Sequence, residues 1–503
     1  MLYFAAIAIL LYIPISCARA PQAKQTLRIG LEAEPVTLDP HLNAESATWT
    51  VLGNIFEGLV GFDRDMRIVP QLADSWENPD DNTWLFRLRR GVTFHNGQTM
   101  KASDVIYSLE RAKYKTQSKV SGAIALVKEF EAVGDYAVKI TTGEPDPILL
   151  NKLTSIYIVP RWYYETSSDS MAAKHPVGTG PYKLDRWIQK QQVTLVRNEY
   201  YYGKRPNIDK AVFIEVASRD MRAQSLLTGK VDLIRNMPAE FFKKLKDHPE
   251  FRMITSPGLM TSYLGLDMSG KCRPFLDAKV RKAIYLGINI DRIIKAITGG
   301  FAMPASQLAP QGIFGYNPEI IRPAYDPEEA LALLQASRYP KGFAITLDIP
   351  ENALLVGEAI RTDLEKIGIK IKLVSAPWRQ FYKKITGGQT AFYLVGWACT
   401  NGDASDIFNA CLHSPVAGQG YGVANIGRYS NSRLDSLIEI SNHLLAVSER
   451  QDCLQMIMSL AMDDLPLIPL YRQDNFYGAR KEILWQPRLD ERINVSEMEL
   501  IEK

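Results

Sequence analysis

The sequence is poor in histidine, cysteine and blocks of like charge. Its 503 residues include only six His and five Cys, and the formal net charge is +3. No two histidines stand at the i, i+4 spacing of a metal-binding helix, so the pattern predicts no metal site. Nucleic-acid binders carry a basic stripe, which this chain lacks, so the charge pattern predicts no nucleic-acid partner.

The motifs of common catalytic and nucleotide sites are also missing. The chain has no GxSxG nucleophile elbow, HExxH helix, Walker A loop or GxGxxG fingerprint. The glycine-bearing segment His175–Pro181 lacks the Lys-Ser/Thr of a phosphate loop, and Pro181 favours a tight turn there. We therefore predict a protein that is not an enzyme and that has no cofactor.

What the chain does contain is typical of a soluble globular protein. Hydrophobic residues make up 46% and charged residues 23% of the sequence, close to the average for folded domains. The length predicts about three domains. With 23 Tyr, 18 Phe and 8 Trp, the chain also has many rings that can line a cavity.

The first residues form an uncharged apolar segment, Met1–Ser16. It is shorter than the roughly twenty residues that span a membrane, which favours a signal peptide over residues 1–20. Cleavage after Ala18-Arg19-Ala20 is one interpretation, and a lipoprotein signal with Cys17 at its cleavage site is the other. An N-terminal membrane anchor is the remaining alternative.

Export would leave four cysteines, Cys272, Cys399, Cys411 and Cys453. Four cysteines allow two disulfides in three pairings. Cys399 and Cys411 are the nearest pair in sequence and the candidate disulfide, although free buried thiols fit the sequence equally well. His413 beside Cys411 does not complete a zinc-binding set.

Hydrophobic periodicity predicts a mixed α/β chain. The alternation across Trp84–Leu88 and Ile369–Leu373 predicts strands with one buried face. Asp326–Glu329 has the N-cap, N1 proline and acidic N3 residue of a helix start. Val356–Ile367 carries a helical apolar stripe that Gly368 ends. The apolar run Ala391–Val395 predicts a buried strand that ends at Gly396-Trp397 and opens into a polar loop.

The loop after this last strand is the candidate binding loop. Loops at the carboxyl ends of buried strands bind ligands in α/β domains. Trp397 would offer an apolar ring, Thr400 and Asn401 neutral polar groups, and Asp403 a charge. The alternative is a packed Trp beside an ordinary turn.

Ten sequence blocks, in order, resemble the extracytoplasmic solute-binding proteins of peptide and nickel ABC transporters, family 5. The similarity extends over nearly the whole chain, from about residue 26 to about residue 490. Each block by itself is weak, and their order makes the resemblance specific. The blocks are Phe56–Gly61, Val69–Trp76, Thr83–Gly97, Ala102–Val105, Val177–Tyr182, Arg197–Tyr201, Gly229–Asp232, Val280–Ile284, Gly396–Trp397 and Tyr429–Asp435.

The resemblance implies a class II periplasmic-binding-protein fold with three lobes and a hinged ligand cleft between lobes I and III. A ligand that contacts both lobes stabilises the closed state, which the transporter recognises. The implied lobes follow from the family. They are lobe I at 21–56, 185–262 and 473–503, lobe II at 57–184, and lobe III at 263–472.

The resemblance also implies where a peptide would bind, and this chain departs from the family there. Peptide-binding relatives place an Asp three residues after the Trp to pair with the peptide amine, and Thr400 occupies that position here. Asp403 is the candidate substitute. The Arg of some oligopeptide binders is Leu394, whereas Glu34 matches an acidic position in their first lobe.

Further candidates for the cleft are Trp49, Trp378 and Arg379, each with packing or surface exposure as the alternative. Nickel-binding relatives stack a chelate on aromatic and arginine side chains, and a His sometimes joins the metal. His413 lies roughly where such a His would be, with an ordinary surface His as the alternative.

The function implied is capture of a small peptide or peptide-like solute for an ABC importer. The expected partners are the permease and ATPase subunits, and the expected location is the periplasm or the outer face of the cytoplasmic membrane through a lipid anchor. A monomer is expected. A metal-chelate binding protein and a ligand-sensing module remain alternatives, and a hydrolase would need a nucleophile that the sequence lacks.

Overall fold

The computed structural model describes residues 25–43, 45–238, 241–297 and 300–501. The predicted signal peptide, including Cys17, lies outside the described residues. Within those ranges no helix has both the length and the hydropathy of a membrane span.

The described residues fold into strands and helices that alternate along the chain, which confirms the mixed α/β prediction. The strands are β1 Thr26–Leu31, β2 Val60–Phe62, β3 Ile68–Pro70, β4 Ala73–Asp80, β5 Thr83–Leu88, β6 Val127–Ala132, β7 Ala137–Thr142, β8 Tyr182–Ile188, β9 Gln192–Arg197, β10 Lys210–Glu215, β11 Leu233–Arg235, β12 Phe251–Ser256, β13 Met260–Leu266, β14 Ala302–Pro304, β15 Phe343–Pro350, β16 Ile369–Ala376, β17 Phe392–Ala398, β18 Leu467–Gln473, β19 Asn475–Arg480, β20 Ile483–Leu484 and β21 Glu499–Leu500. The helices are α1 Ser46–Ile55, α2 Ala102–Tyr114, α3 Leu149–Leu153, α4 Arg161–Thr166, α5 Asp169–Lys174, α6 Arg219–Leu227, α7 Phe242–Lys246, α8 Ala278–Gly287, α9 Ile290–Ile297, α10 Pro327–Gln335, α11 Leu354–Lys366, α12 Trp378–Thr386, α13 Ser405–Ile407, α14 Ser432–Ser441 and α15 Val447–Asp464.

A seven-stranded sheet has the order β12-β19-β11-β1-β10-β9-β8. Strand β1 lies in its interior, parallel to both β10 and β11. The buried faces of β1 and α1 pack into one core through Leu27, Ile29 and Val51. This sheet therefore draws its strands from all three chain segments predicted for lobe I.

A four-stranded antiparallel sheet with the order β4-β5-β7-β6 comes entirely from the segment predicted for lobe II. In β5, Trp84, Phe86 and Leu88 are buried, whereas Arg87 is exposed. The predicted alternation is confirmed, and it places these side chains in the lobe II core.

A six-stranded sheet with the order β14-β18-β13-β17-β15-β16 comes from the segment predicted for lobe III. The predicted start of α10 is confirmed, because the Asp326 carboxylate accepts a hydrogen bond from the Glu329 backbone N–H at 2.9 Å. The stripe on α11 is buried, and Gly368 after it has a left-handed φ of +94°. Strand β17 ends at Ala398, one residue beyond the predicted end at Gly396-Trp397, and Trp397 pairs with Thr261 of β13.

Two short connections join the seven-stranded and six-stranded sheets, at 257–259 and at Asp474. They run antiparallel and side by side, because Ser256 pairs with Asn475. A Cβ atom on Gly258 would lie 2.3 Å from the Gln473 carbonyl oxygen, so only glycine allows this approach. Two adjacent connections allow the sheets to rotate relative to each other.

The predicted lobe boundaries lie close to changes of sheet. Strand β8 begins at Tyr182 and β13 begins at Met260, each three residues before the predicted boundary. The boundaries themselves stay a prediction.

Candidate ligand cleft

A cavity of about 490 Å³ opens where the three predicted lobes meet. The six-stranded sheet contributes the carboxyl end of β17 and the start of β13, and the seven-stranded unit contributes α1 and a loop near the C-terminus. The lining residues are Ser46, Trp49, Phe62, Ala123, Asn151, Lys152, Thr154, Ser155, Leu259, Met260, Ala398, Thr400, Asn401, Leu489, Asp490, Glu491 and Arg492. The structure thus brings three of the predicted site residues, Trp49, Thr400 and Asn401, to one cavity.

Trp49 gives the cavity a fixed aromatic wall. Its ring lies 5.1 Å from that of Tyr157, and the Arg492 guanidinium lies 5.2 Å from the Trp49 ring centroid. Tyr157 is buried in the core of the seven-stranded unit. The indole is therefore held by packing on one side and by a cation–π contact on another.

The loop after β17 is tied to lobe II. The Asn151 side-chain amide donates to the Asn401 carbonyl oxygen at 2.8 Å. The Asn401 side-chain oxygen accepts from the Asp403 backbone N–H at 3.0 Å, which closes a tight turn. Thr400 is exposed at the rim, so its hydroxyl is available to a ligand.

Asp403 does not line this cavity, so the structure does not place it where it could replace the carboxylate that pairs with a peptide amine in relatives. Its carboxylate forms a two-armed ion pair with Arg450, at 2.6 and 2.9 Å. The side chains are only 3% and 4% exposed, respectively. The carboxylate that the sequence suggested for ligand binding instead forms an ion pair in the core of lobe III.

Trp397 lies next to the cavity without lining it. Its indole N–H donates to the Asp406 carboxylate at 3.4 Å, and its ring packs against the core beneath the loop. Burial raises the pKa of Asp406 to about 6. In this arrangement Trp397 supports the loop that carries Thr400.

The predicted Cys399–Cys411 disulfide is not formed. Both cysteines are free and buried, as is Cys272, and Cys453 is free and half-buried. Burial raises the pKa of the Cys399 and Cys411 thiols, and the Tyr263 hydroxyl lies 3.9 Å from the Cys411 sulfur. The structure agrees with the alternative interpretation, in which these cysteines are free buried thiols.

Three other candidates lie away from the cavity. Trp378 is 58% exposed at the start of α12, where it stacks on Tyr382 at 5.5 Å, and Arg379 beside it is exposed. The Glu34 carboxylate accepts from the Lys190 backbone N–H at 2.6 Å, so it holds a turn of the seven-stranded unit. For Trp378 and Arg379 the structure agrees with the surface alternative.

His413 is neither a surface residue nor part of the cavity wall. It is 2% exposed, and its ring stacks on Tyr421 with 4.1 Å between centroids. One ring nitrogen lies 2.7 Å from the Ser414 carbonyl oxygen and the other 3.2 Å from the Glu439 carboxylate. The described residues hold no cluster of three or more metal-ligating side chains.

Sequence reasoning missed the C-terminal wall, formed by Leu489–Arg492. These residues precede the last short helix and lie in irregular structure, with Glu491 in the left-handed region at φ 60°. No motif or periodicity marks them, and the available signal was only the dense run of charges from Arg488 to Arg492.

A larger cavity of about 1,100 Å³ lies between lobes I and II, and no residue of lobe III lines it. On its wall, Glu57 accepts hydrogen bonds from Thr179, Tyr201 and Tyr202, each at 2.9 Å. Burial raises the pKa of Glu57 to about 7. Three of the family-like blocks thus converge on one buried carboxylate, and closure of lobes I and III would not enclose this cavity.

A third cavity, of about 720 Å³, lies beside the hinge. Lobe III contributes only Gln311, Gly312 and Arg472 to it, and the β17 loop takes no part. Of these three cavities, the 490 Å³ cavity is the one that the candidate binding loop and the lobe I wall both line.

Comparison with known proteins places the chain in a family. Residues 67–419 match the family model described as bacterial extracellular solute-binding proteins, family 5. The chain belongs to this family. The family consists of substrate-binding proteins rather than enzymes, which supports the non-enzyme prediction at family level.

Two curated relatives extend over most of the chain. The dipeptide-binding protein of Escherichia coli is 26% identical, with 94% of this chain and 93% of the relative covered. The glutathione-binding protein GsiB of Pectobacterium atrosepticum is 30% identical, with 80% and 79% covered. Relatives of this family are periplasmic binding proteins of ABC transporters, for peptides and some metal chelates.

Solved structures confirm the class II binding-protein fold. Helicobacter pylori DppA in complex with the peptide STSA is 26% identical, with a TM-score of 0.73 and 94% and 98% of the two chains covered. The unliganded open form of the murein tripeptide-binding protein MppA is 22% identical, with a TM-score of 0.84 and 95% and 98% covered. NikZ of Campylobacter jejuni in complex with Ni(L-His) is 23% identical, with a TM-score of 0.74 and 95% and 100% covered.

Proposed function

We propose that this chain is the binding component of an ABC importer and that it captures a small peptide or peptide-like solute in the 490 Å³ cavity. The observation that carries the proposal is the composition of this cavity, because Trp49 lies on the lobe I side and Thr400 and Asn401 on the lobe III side. A ligand held there contacts both lobes, as a closing cleft requires.

The size and lining of the cavity fit a small polar ligand with some apolar surface. Its volume lies within the roughly 300–1,000 Å³ typical of ligand pockets. Trp49, Leu259 and Met260 supply apolar walls, and charged and amide side chains supply orientation. Micromolar affinity needs about 8 kcal/mol net, which a few fixed polar contacts and aromatic packing can provide.

The lobe organisation supports capture by closure. The seven-stranded and six-stranded sheets are joined by two adjacent connections only, with Gly258 against the Gln473 carbonyl. In overall shape the chain is closer to the unliganded open form, with a TM-score of 0.84, than to the two complexes at 0.73 and 0.74. We infer an open arrangement that a ligand closes, with the lobe boundaries given above.

Native mass spectrometry of the protein as purified, followed by calorimetry with a mixture of dipeptides and tripeptides, tests the proposal. We expect retained or added species of peptide mass and dissociation constants in the micromolar range. Small-angle scattering should show a smaller radius of gyration with ligand. Failure to bind any peptide would contradict the proposal.

A metal chelate is the second candidate, favoured by the nickel complex of NikZ. Metal analysis of the same preparation distinguishes the two, because a stoichiometric transition metal would reverse their order. We further propose that the chain is exported and delivers its ligand to a permease with its ATPase. Coprecipitation with the permease, and not with a sensor receptor, is the expected result.

A further inference from the structure

Four charged side chains line the cleft, and two of them, Lys152 and Asp490, have close partners within the protein. Lys152 donates to the buried Asp146 carboxylate at 2.7 Å. Asp490 accepts two hydrogen bonds from Arg488, both at 2.9 Å, and lies 3.8 Å from Arg492. Glu491 has no ion-pair partner within 4.0 Å among the described residues.

The surroundings of Glu491 leave its charge poorly compensated. Arg235 is nearby, but its guanidinium is paired with the Glu32 carboxylate. This ion pair already neutralises the charge of Arg235, so Arg235 compensates Glu491 only weakly. Burial raises the pKa of Glu491; Arg235 and the Asn475 amide oppose this rise, and Glu32 and Asp490 add to it. A cation placed at Glu491 would therefore offset the electrostatic cost of burying this carboxylate.

The opposite wall offers no anion to compete for such a cation. Thr400, Asn401 and Met260 face the cavity there, and all are uncharged. The Asp403 carboxylate in this loop does not line the cavity and is paired with Arg450. Among the described residues of the cavity, Glu491 is thus the carboxylate that a ligand ammonium can reach without displacing a protein cation.

Arg492 provides a matching positive group on the same wall. Its side chain is 25% exposed, and its nearest carboxylate oxygen, on Asp490, is 3.8 Å away. Among the described residues its guanidinium N–H groups make no hydrogen bond of normal length. Since the guanidinium also lies over the Trp49 ring, a ligand carboxylate bound to it would be next to an apolar surface.

We infer that Glu491 binds the free ammonium group of the ligand from lobe I, and that Arg492 beside it takes a ligand carboxylate. The inference rests on the proposed function, and it defines the ligand class as zwitterionic, with a free amine and a free acid. The position that carries an Asp in peptide-binding relatives, Thr400, would serve as a neutral contact from lobe III.

The test uses the full chain, freed of bound solute, and three mixtures of dipeptides and tripeptides: unmodified, N-acetylated and C-terminally amidated. Native mass spectrometry counts the bound species, and calorimetry then measures the tightest binder with its two derivatives. We expect wild-type protein to prefer free amines. Glu491→Gln should bind the unmodified peptide at least about 30-fold more weakly and lose this preference.

Glu328→Gln is the matched control, because it removes the same charge as Glu491→Gln, and Glu328 is exposed on α10 in lobe III. It should bind as wild type does. Arg492→Gln should lose the preference for free acids over amides and keep the preference for free amines.

The outcomes separate this inference from the function on which it rests. Peptide binding with a free-amine preference that survives in Glu491→Gln overturns the inference alone. Equal binding of acetylated and free peptides by wild type does so as well. Failure of wild type to bind any of the three mixtures overturns the proposed function and this inference with it.

Discussion

The two walls of the cleft handle charge in opposite ways. On the lobe III wall, Asp403 is paired with Arg450 and buried, and the loop presents neutral groups to the cavity. On the lobe I wall, Glu491 is half-buried without an ion-pair partner, beside Arg492. One carboxylate stabilises the fold, and the other is left for binding.

The difference teaches that a carboxylate next to a binding loop is a candidate only until its partner is known. Asp403 has the sequence context of a ligand contact, whereas Glu491 has none. Burial with two hydrogen bonds to a guanidinium fixes Asp403 in place, since separating the pair would leave a charge uncompensated. The carboxylate without an ion-pair partner, Glu491, is therefore the one that we assign to the ligand ammonium group.

The largest expected effect is on stability, from Asp403→Asn. Removing one partner of the buried pair should lower the free energy of unfolding by about 3–5 kcal/mol, because Arg450 stays buried without a counter-charge. Urea unfolding measures this. Asp406→Asn is the control in the same loop, since it removes a carboxylate whose partner is neutral Trp397, and it should be neutral or stabilising above pH 6.

The next largest effect is expected from a double variant that moves the amine-binding carboxylate from the lobe I wall to the lobe III wall. Thr400→Asp in the Glu491→Gln background should restore at least about tenfold of the lost affinity for free-amine peptides, because a carboxylate again faces the cleft. Calorimetry with unmodified and acetylated peptides measures it. Thr400→Asn in the same background is the control of equal size, and a similar gain from it would contradict an ion pair.

A smaller effect is expected from pH. The pKa of Glu491 is raised by burial, so on acidification its carboxylate is neutralised before that of an ordinary Glu, and affinity for amines should fall. One linked proton gives at most about tenfold per pH unit. Calorimetry from pH 8 to pH 5 measures this slope, which should disappear in Glu491→Gln and persist in Asp406→Asn. A slope that persists in Glu491→Gln would assign the titration to another group.

The smallest effects are expected at the exposed start of α12. Trp378→Ala and Arg379→Ala should leave peptide affinity unchanged and alter the free energy of unfolding by no more than about 0.5 kcal/mol. Both side chains are exposed and lie outside the cavity. A loss of affinity in either variant would mean that closure brings α12 onto the ligand.

Much of the fold could be predicted because it depends on local patterns. The alternation in β5, the cap of α10 and the stripe of α11 follow from spacing along the chain, and each is confirmed. The predicted end of β17 is one residue short, because a strand continues as long as its neighbour pairs with it, and β13 pairs with β17 as far as Ala398. The order of the blocks identified the family without any contact being known.

The site was only partly predictable, since partner choice is a long-range property. Sequence by itself determined the family and the mixed α/β class, and it named Thr400, Asn401 and Trp49 as candidates for the cleft. Only the tertiary structure decided that Arg450, 47 residues away, takes Asp403, and that Leu489–Arg492 closes the wall opposite Thr400. The reason is physical: spacing fixes which face of an element is buried, but the free energy of a charge depends on what the folded chain places next to it.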